Sequence, residues 1–298
     1  MATSVARASG AAAPGPDQAR TKAAYGLQWN RFRIIREDED RATFRTRTGL
    51  SPDALHDALV LDAGCGMGRY LRICAGFGPR LVVGLDLSEA VRAARELTAE
   101  FPNVAIVQGD LLRPPLIAGG FDHIYSIGVL DHTPNPKAAF LNLAALLKPG
   151  GRIAVWVYRR EHPVVERMMD AQRAISTRLP LAVLLALSRF TAPLGGLKRR
   201  LMGSRWWLLQ RLGVAVHLLT IGVSMHPDPQ VRVCDTLDWY APAYLSRHTP
   251  EEVASWFVEA GLTDLEDLSQ GQVHFHEGQG IGVNLAGRRP LPTEPPQP

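Results

Sequence analysis

The stretch LDAGCGMGRY, residues 61–70, constrains this chain more than any other. It runs directly out of a short apolar segment, ALVLDAG (58–64), and sets Gly64, Gly66 and Gly68 at alternate positions. Glycine is needed where a backbone must turn tightly and let a ligand come close. A helix is predicted from about 67 to 76, and its first N–H groups have no partner within the helix. A dinucleotide fingerprint, G-x-G-x-x-G, needs its third glycine at 69, where Arg69 stands. The phosphate loop G-x-x-x-x-G-K-[ST] is also absent. The loop is therefore expected to face a nucleoside that carries no pyrophosphate.

Four further apolar runs follow: RLVVGLDLS (80–88), NVAIVQGD (103–110), FDHIYSIGV (121–129) and GRIAVWVYR (151–159). Helical segments at 88–100 and 136–147 separate them, and Lys148-Pro149-Gly150-Gly151 reads as a helix stop and a turn. Apolar strands alternating with helices predict βαβ units, hence an α/β fold with a doubly wound, mostly parallel, Rossmann-like sheet. Such sheets bind ligands at the carboxyl ends of their strands. Asp86 ends the second strand, 22 residues after Gly64, where a carboxylate can accept both ribose hydroxyls. Gln108-Gly109-Asp110 ends the third, and Asp110 can accept from an adenine amino group. Leu87, Leu111 and Ile127 complete the expected cofactor-binding set.

With these residues in hand, the stretch 58–158 resembles the catalytic core of the class I methyltransferases that use S-adenosylmethionine (SAM), in their small-molecule, methyltransferase-11-like type. The family's glycine motif matches LDAGCGMG, its ribose acid falls on Asp86 and its adenine-side acid on Asp110. Its fourth motif matches FDHIYSIGVLDH and its post-helix turn matches LLKPGGRI. The resemblance implies SAM as cofactor, no metal, and a seven-stranded sheet whose last strand is antiparallel. It implies that Asp62 either orients the loop or lies near the methionine part of SAM. Cys65 is then a small filler within the cofactor loop, not a nucleophile. Tyr25 and Trp29 either fold over the cofactor or belong to a helix core. A looser likeness of YGLQWNRF and WYAPAYLSRHTPEEVASWF points to natural-product or saccharide pathways.

The implied reaction is an in-line methyl transfer to a small, bulky, partly apolar acceptor, with O-methylation favoured by family habit. The enzyme's work is alignment and exclusion of water. A base is needed only where the nucleophile must lose a proton. His132, in the loop after the fourth strand, is the candidate base or a wall of the site. Asp131 is a second candidate, as base or as partner to His132. His226, Tyr240 and Tyr244 are candidates for the acceptor pocket, with Asp228, Asp235 and His248 nearby in sequence. His226-Pro227-Asp228-Pro229 reads first as a rigid turn. HFHEG (274–278) reads as a hairpin tip, because two histidines without a third ligand make a weak metal site.

The organisation follows from these assignments. Residues 1–20 are expected to be a disordered leader, without the apolar run of a secretory signal. Residues 21–57 form a helical cover, in which Ser51-Pro52-Asp53 starts a helix. Residues 58–159 are the SAM-binding core and 160–248 a mostly helical lid insertion. Residues 249–290, opened by Thr249 as a helix cap, complete the core with a helix and a strand hairpin, and 291–298 is a tail. Three scattered cysteines, Cys65, Cys74 and Cys234, fit a reducing, cytoplasmic setting. A net charge of +4 is too mild to imply a nucleic-acid partner. In the insertion, LPLAVLLAL (179–187) is too short to span a bilayer, and 206–223 contains Arg211 and His217, so a packed lid helix is expected there. Lys198-Arg199-Arg200 beside it keeps an alternative open: a membrane-surface enzyme acting on a lipid or quinone. A non-catalytic SAM-binding partner subunit is the other alternative.

Overall fold

The structure, a computed structural model, describes residues 15–160, 162–220, 222–269 and 282–292. Two helices come first, α1 (Pro16–Arg31) and α2 (Glu37–Thr48). Pro16 to Arg20, expected in the leader, are already helical, because Pro16 is pre-shaped for a first helical position. A single turn, α3 (Pro52–Leu55), is capped as expected: the Ser51 hydroxyl accepts the Ala54 N–H.

Seven strands form one sheet: β1 (Leu59–Ala63), β2 (Leu81–Asp86), β3 (Val104–Gln108), β4 (Phe121–Ile127), β5 (Leu147–Val157), β6 (Thr263–Asp267) and β7 (Val283–Arg288). Their order across the sheet is β3-β2-β1-β4-β5-β7-β6. The first five pair in parallel, and β7 runs antiparallel to both β5 and β6. β5 begins at Leu147 and absorbs the expected turn at 148–151, with a register shift between Phe121 and His123 and Gly150 at φ +78°. The chain runs outward from β1 to β3 and then returns to β4 on the other side. A crevice opens at that reversal, outside the carboxyl ends of β1 and β4.

Both faces of the sheet are covered, so its strands are apolar on both sides. Val60, Val82 and Tyr125 pack with Phe44 of α2 and with Leu71 and Cys74 of α4 (Arg69–Ala75). The alternate residues Leu61, Val83 and Ile124 pack on the other face with Phe140 of α6 (Pro136–Ala145) and Trp256 and Phe257 of α11 (Pro250–Glu259). α5 (Val91–Leu97) lies between β2 and β3 in the chain, and the Thr249 hydroxyl caps α11.

The segment between β5 and α11 is helical as expected: α7 (Pro163–Ser176), α8 (Leu181–Met202), α9 (Trp207–Leu219) and α10 (Pro229–Tyr240). It is fastened to α1 by an apolar cluster in which Ala24 and Phe32 meet Leu184, Leu185 and Leu237. Arg36 pairs with Asp228 at 2.6 Å across the same seam. α8 buries one stripe, including Leu184, Leu185, Ser188, Ala192, Gly195 and Lys198. The expectation of a packed helix over 206–223 is corrected. Trp206 is 74% exposed and Trp207 61%, because α9 rests on α8 and leaves Leu208, Leu209, Leu212 and Val214 exposed beside them. The HFHEG segment lies outside the described residues.

Candidate functional site

A cavity occupies the crevice at the strand reversal, between the sheet and α1, α2 and α10. The glycine loop forms one wall. Gly64, Gly66 and Gly68 all hold positive φ (+93°, +52° and +88°), which only glycine adopts freely. A Cβ on Gly64 would lie 2.3 Å from Val129 side-chain carbons, so no larger residue fits there. The Gly64 and Cys65 N–H groups donate to the Leu85 carbonyl and tie the loop to β2. Cys65 is a buried filler against Gly84, with its thiol pushed well above the usual range by burial, which is the packing role expected of it. Gly64, Cys65 and Gly66 line the cavity, whereas Gly68 sits behind it against Ala94 and caps α4.

Asp86 organises this wall. Its Oδ2 accepts the Gly66 N–H at 2.8 Å, and its Oδ1 accepts the Ser88 N–H at 2.8 Å and the Ser88 hydroxyl at 2.7 Å. Three of the roughly four acceptor positions of the carboxylate are thus held by its own chain. Burial raises its pKa and these three bonds oppose the rise. Leu87, Asp110, Leu111 and Ile127 line the cavity as well. Asp110 accepts from the Gln18 amide at 2.6 Å and from the Leu112 N–H at 2.9 Å, which joins α1 to the end of β3. Asp62, expected near the cofactor, is not in the cavity lining; it is buried in β1, 3% exposed, and burial pushes its carboxyl up to about 8.

α1 presents Thr21, Tyr25, Gln28 and Trp29 to the cavity, a helical spacing that makes one face, and Phe32 follows just past its end. Trp29 lies over the glycine loop, with its Nε1 3.3 Å from where a Gly66 Cβ would stand. The Tyr25 hydroxyl is buried without a hydrogen-bond partner, and the Tyr25 ring meets His132 edge-on at 5.2 Å.

His132 also lines the cavity. Its Nδ1 stands 3.0 Å from the Tyr244 carbonyl, and burial holds its pKa below the usual 6.5. Asp131 faces elsewhere and is not partnered with His132. Its Oδ2 accepts the Tyr158 N–H at 3.1 Å, its Oδ1 lies 3.8 Å from His248, and burial raises its pKa far above the carboxylate range. It fixes the loop, in place of the role as a base considered above.

The expected acceptor pocket is partly corrected. The Tyr240 hydroxyl donates to Gln172 at 2.8 Å, outside the cavity lining. His226 is buried in the turn before α10, where its Nδ1 accepts the Asp228 N–H, and it does not line the cavity either. Tyr244 contributes its carbonyl to His132. α10 instead brings Cys234, Asp235 and Asp238 to the wall. Asp235 accepts from the Ser224 hydroxyl, and burial pushes it up to about 7. Asp238 accepts from the Tyr158 hydroxyl at 3.1 Å and from the Gln28 amide at 3.2 Å.

Sequence reasoning missed Arg47, Arg69, Trp156 and Tyr158, which also line the cavity. Arg69 lies 3.4 Å from Asp40. The Arg47 guanidinium stacks 3.9 Å from the Trp156 ring and has no carboxylate partner among the described residues. Burial lowers its pKa. Trp156 and Tyr158 were legible in principle, since alternate residues at the carboxyl end of β5 share a face. Nothing in the sequence near Arg47 announces a site.

A family model described as a methyltransferase domain matches residues 61–155. Among curated relatives, a sterol 24-C-methyltransferase of Gibberella zeae is 32% identical over 33% of this chain and 27% of its own length. The trans-aconitate 2-methyltransferase of Deinococcus radiodurans is 30% identical over 48% of this chain and 53% of its own. The chain thus spans between about a quarter and about half of these relatives. Among solved structures, the [4+2]-cyclase SpnF aligns over 95% of this chain and 98% of its own, with a TM-score of 0.54 and 16% identity, a likeness of fold alone.

Proposed function

From the premise that the chain belongs to the class I SAM-dependent methyltransferase family, we propose that it transfers a methyl group to a small, bulky, partly apolar acceptor. The acceptor atom is an oxygen in this reading, and the setting a cytoplasmic natural-product or saccharide pathway. One observation carries the proposal. The glycine loop with its carboxylate and a histidine of fixed tautomer line the same cavity.

The residues present fit the cofactor. Gly64 and Gly66 bring bare backbone to the cavity wall, and Asp86 retains an acceptor position for a ribose hydroxyl. Asp110 and Leu111 flank the adenine side, and Trp29 closes over the loop. Once bound, SAM supplies an electrophilic methyl group on a sulfonium.

The chain's own part is positional and protolytic. The Tyr244 carbonyl can only accept, so the His132 proton resides on Nδ1 and the lone pair on Nε2. Nε2 takes the acceptor's hydroxyl proton as the oxygen attacks. Tyr25 and Tyr158, both kept neutral by burial, set their rings edge-on to His132 and hold it in place. α1 and α10 exclude water from the cavity, which strengthens each polar contact inside.

Calorimetry with SAM and with its demethylated product, followed by radiolabelled methyl transfer to a panel of hydroxylated metabolites, tests this. The expected result is binding of both nucleosides and transfer to at least one acceptor oxygen. Binding without transfer to any acceptor class returns the chain to the reading of a SAM-binding partner subunit. Absence of binding removes the proposal.

A further inference from the structure

The charges of the helical insertion are segregated. From Ala171 to Pro227 the chain has no Asp or Glu, against seven arginines and one lysine. Two of these cations are structural. Arg173 is buried on main-chain carbonyls, and Lys198 is buried with its ammonium on the carbonyls of Thr220 and Val223. The other six, Arg178, Arg189, Arg199, Arg200, Arg205 and Arg211, are exposed.

The same helices expose large apolar side chains. On α8, Val183, Leu187, Phe190 and Leu197 recur at helical spacing opposite the buried stripe, and Phe190 is 81% exposed. At the start of α9, Trp206, Trp207, Leu208, Leu209 and Leu212 are exposed in succession. Soluble monomers rarely leave so many large apolar side chains of two packed helices uncovered.

We infer that the α8–α9 hairpin docks on an anionic phospholipid surface. Exposed tryptophan, phenylalanine and leucine interleaved with arginine, with no carboxylate, is the chemistry of a segment that lies in the headgroup layer. A tryptophan pair suits that depth, since the indole is apolar in body and donates from one edge. A second copy of the chain fits worse, because two arginine-rich faces without acids repel each other.

α8 is by length and composition apolar enough to cross a bilayer. Its fit against the rest of the protein argues for lying on the surface. A Cβ on Gly195 would stand 1.9 Å from the Ser224 carbonyl, so the helix backbone is pressed onto the segment leading into α10. α8 packs on α10, and α10 lines the cavity. The docked face is thus the back of a helix layer whose front closes the site.

Co-sedimentation of the full chain with vesicles of phosphatidylcholine, with and without phosphatidylglycerol, tests the inference. Pelleting is expected with the anionic vesicles only, weakening as salt rises, together with a blue shift of tryptophan emission. Replacing Phe190, Trp206 and Trp207 together by Ser should abolish it. The double change Arg205→Ser and Arg211→Ser, at exposed positions that leave folding intact, should lower the partition coefficient roughly thirtyfold. SAM affinity should be unaltered in both variants. Binding that ignores lipid charge, or none, overturns the inference. So does a dimer in sedimentation velocity that the triple variant dissolves, since a second copy would then cover this face.

Discussion

His132 Nδ1 lies 3.0 Å from the main-chain carbonyl of Tyr244, and this contact joins the loop after β4 to the segment after α10. One hydrogen bond therefore sets both the tautomer of the ring and the position of the segment after α10.

Replacing His132 by Gln keeps a side chain of similar reach and removes the proposed base. A fall in kcat/KM of about 10²–10⁴ is expected, with the SAM dissociation constant nearly unchanged. Steady-state kinetics beside calorimetry checks both. Full activity in the variant would leave His132 as a wall of the site.

The pH profile gives an independent reading of the same residue. Burial lowers the His132 pKa below 6.5, so the neutral form survives to lower pH than in a free imidazole. Activity should be lost as pH falls through that depressed value, and the acid limb of kcat/KM should lie below pH 6.5. A limb above 6.5 contradicts the assignment.

Asp86→Ala removes the proposed ribose acceptor and also the anchor of Gly66 and Ser88. Each lost charge-assisted hydrogen bond costs about 1.5–3 kcal/mol. SAM affinity should fall at least about tenfold by calorimetry. Unchanged affinity would remove the cofactor assignment at this strand end.

The legible part of this fold was the part governed by local rules. The glycine spacing at 64, 66 and 68, the strand-end Asp86, and the caps Ser51 and Thr249 each follow from a few neighbouring residues. The turn at 148–151 misled because its glycines bend a strand that pairs on both sides. The wall of the cavity opposite the glycine loop was hidden for a different reason. Asp238 and Arg47 reach the cavity through the docking of α10 and α2, a tertiary fact with no periodic signature. Tyr240 lies on the same helix as Asp238, but its hydroxyl turns to Gln172 on α7.

Asp62 makes folding stability depend on pH. Its carboxyl is raised from 3.8 to about 8, so it holds a proton in the folded chain that the unfolded chain releases. The associated stability is complete below about pH 4 and is lost as pH rises to about 8. Asp62→Asn keeps the shape without the titration. Urea unfolding across this window should therefore show a flatter pH dependence for the variant. Parallel curves would mean that Asp62 is ionised in the fold.

Arg173 of α7 is a positioning residue for the turn after α10. Its guanidinium donates to the carbonyls of Trp239, Pro242 and Ala243, the turn that delivers Tyr244 to His132. Arg173→Met keeps the buried stem and strips three carbonyls of their donor, at about 1–3 kcal/mol for each one left unsatisfied. The turn should then loosen, with faster amide exchange from α10 through Tyr244. kcat should fall and the acceptor KM rise, while SAM, proposed to lie on the glycine-loop wall, should bind nearly as before. Arg173→Lys should recover part of kcat, because a single ammonium can reach one or two of the three carbonyls. Loss of SAM affinity equal to the loss of kcat would instead mean that Arg173 supports the whole fold and not this turn.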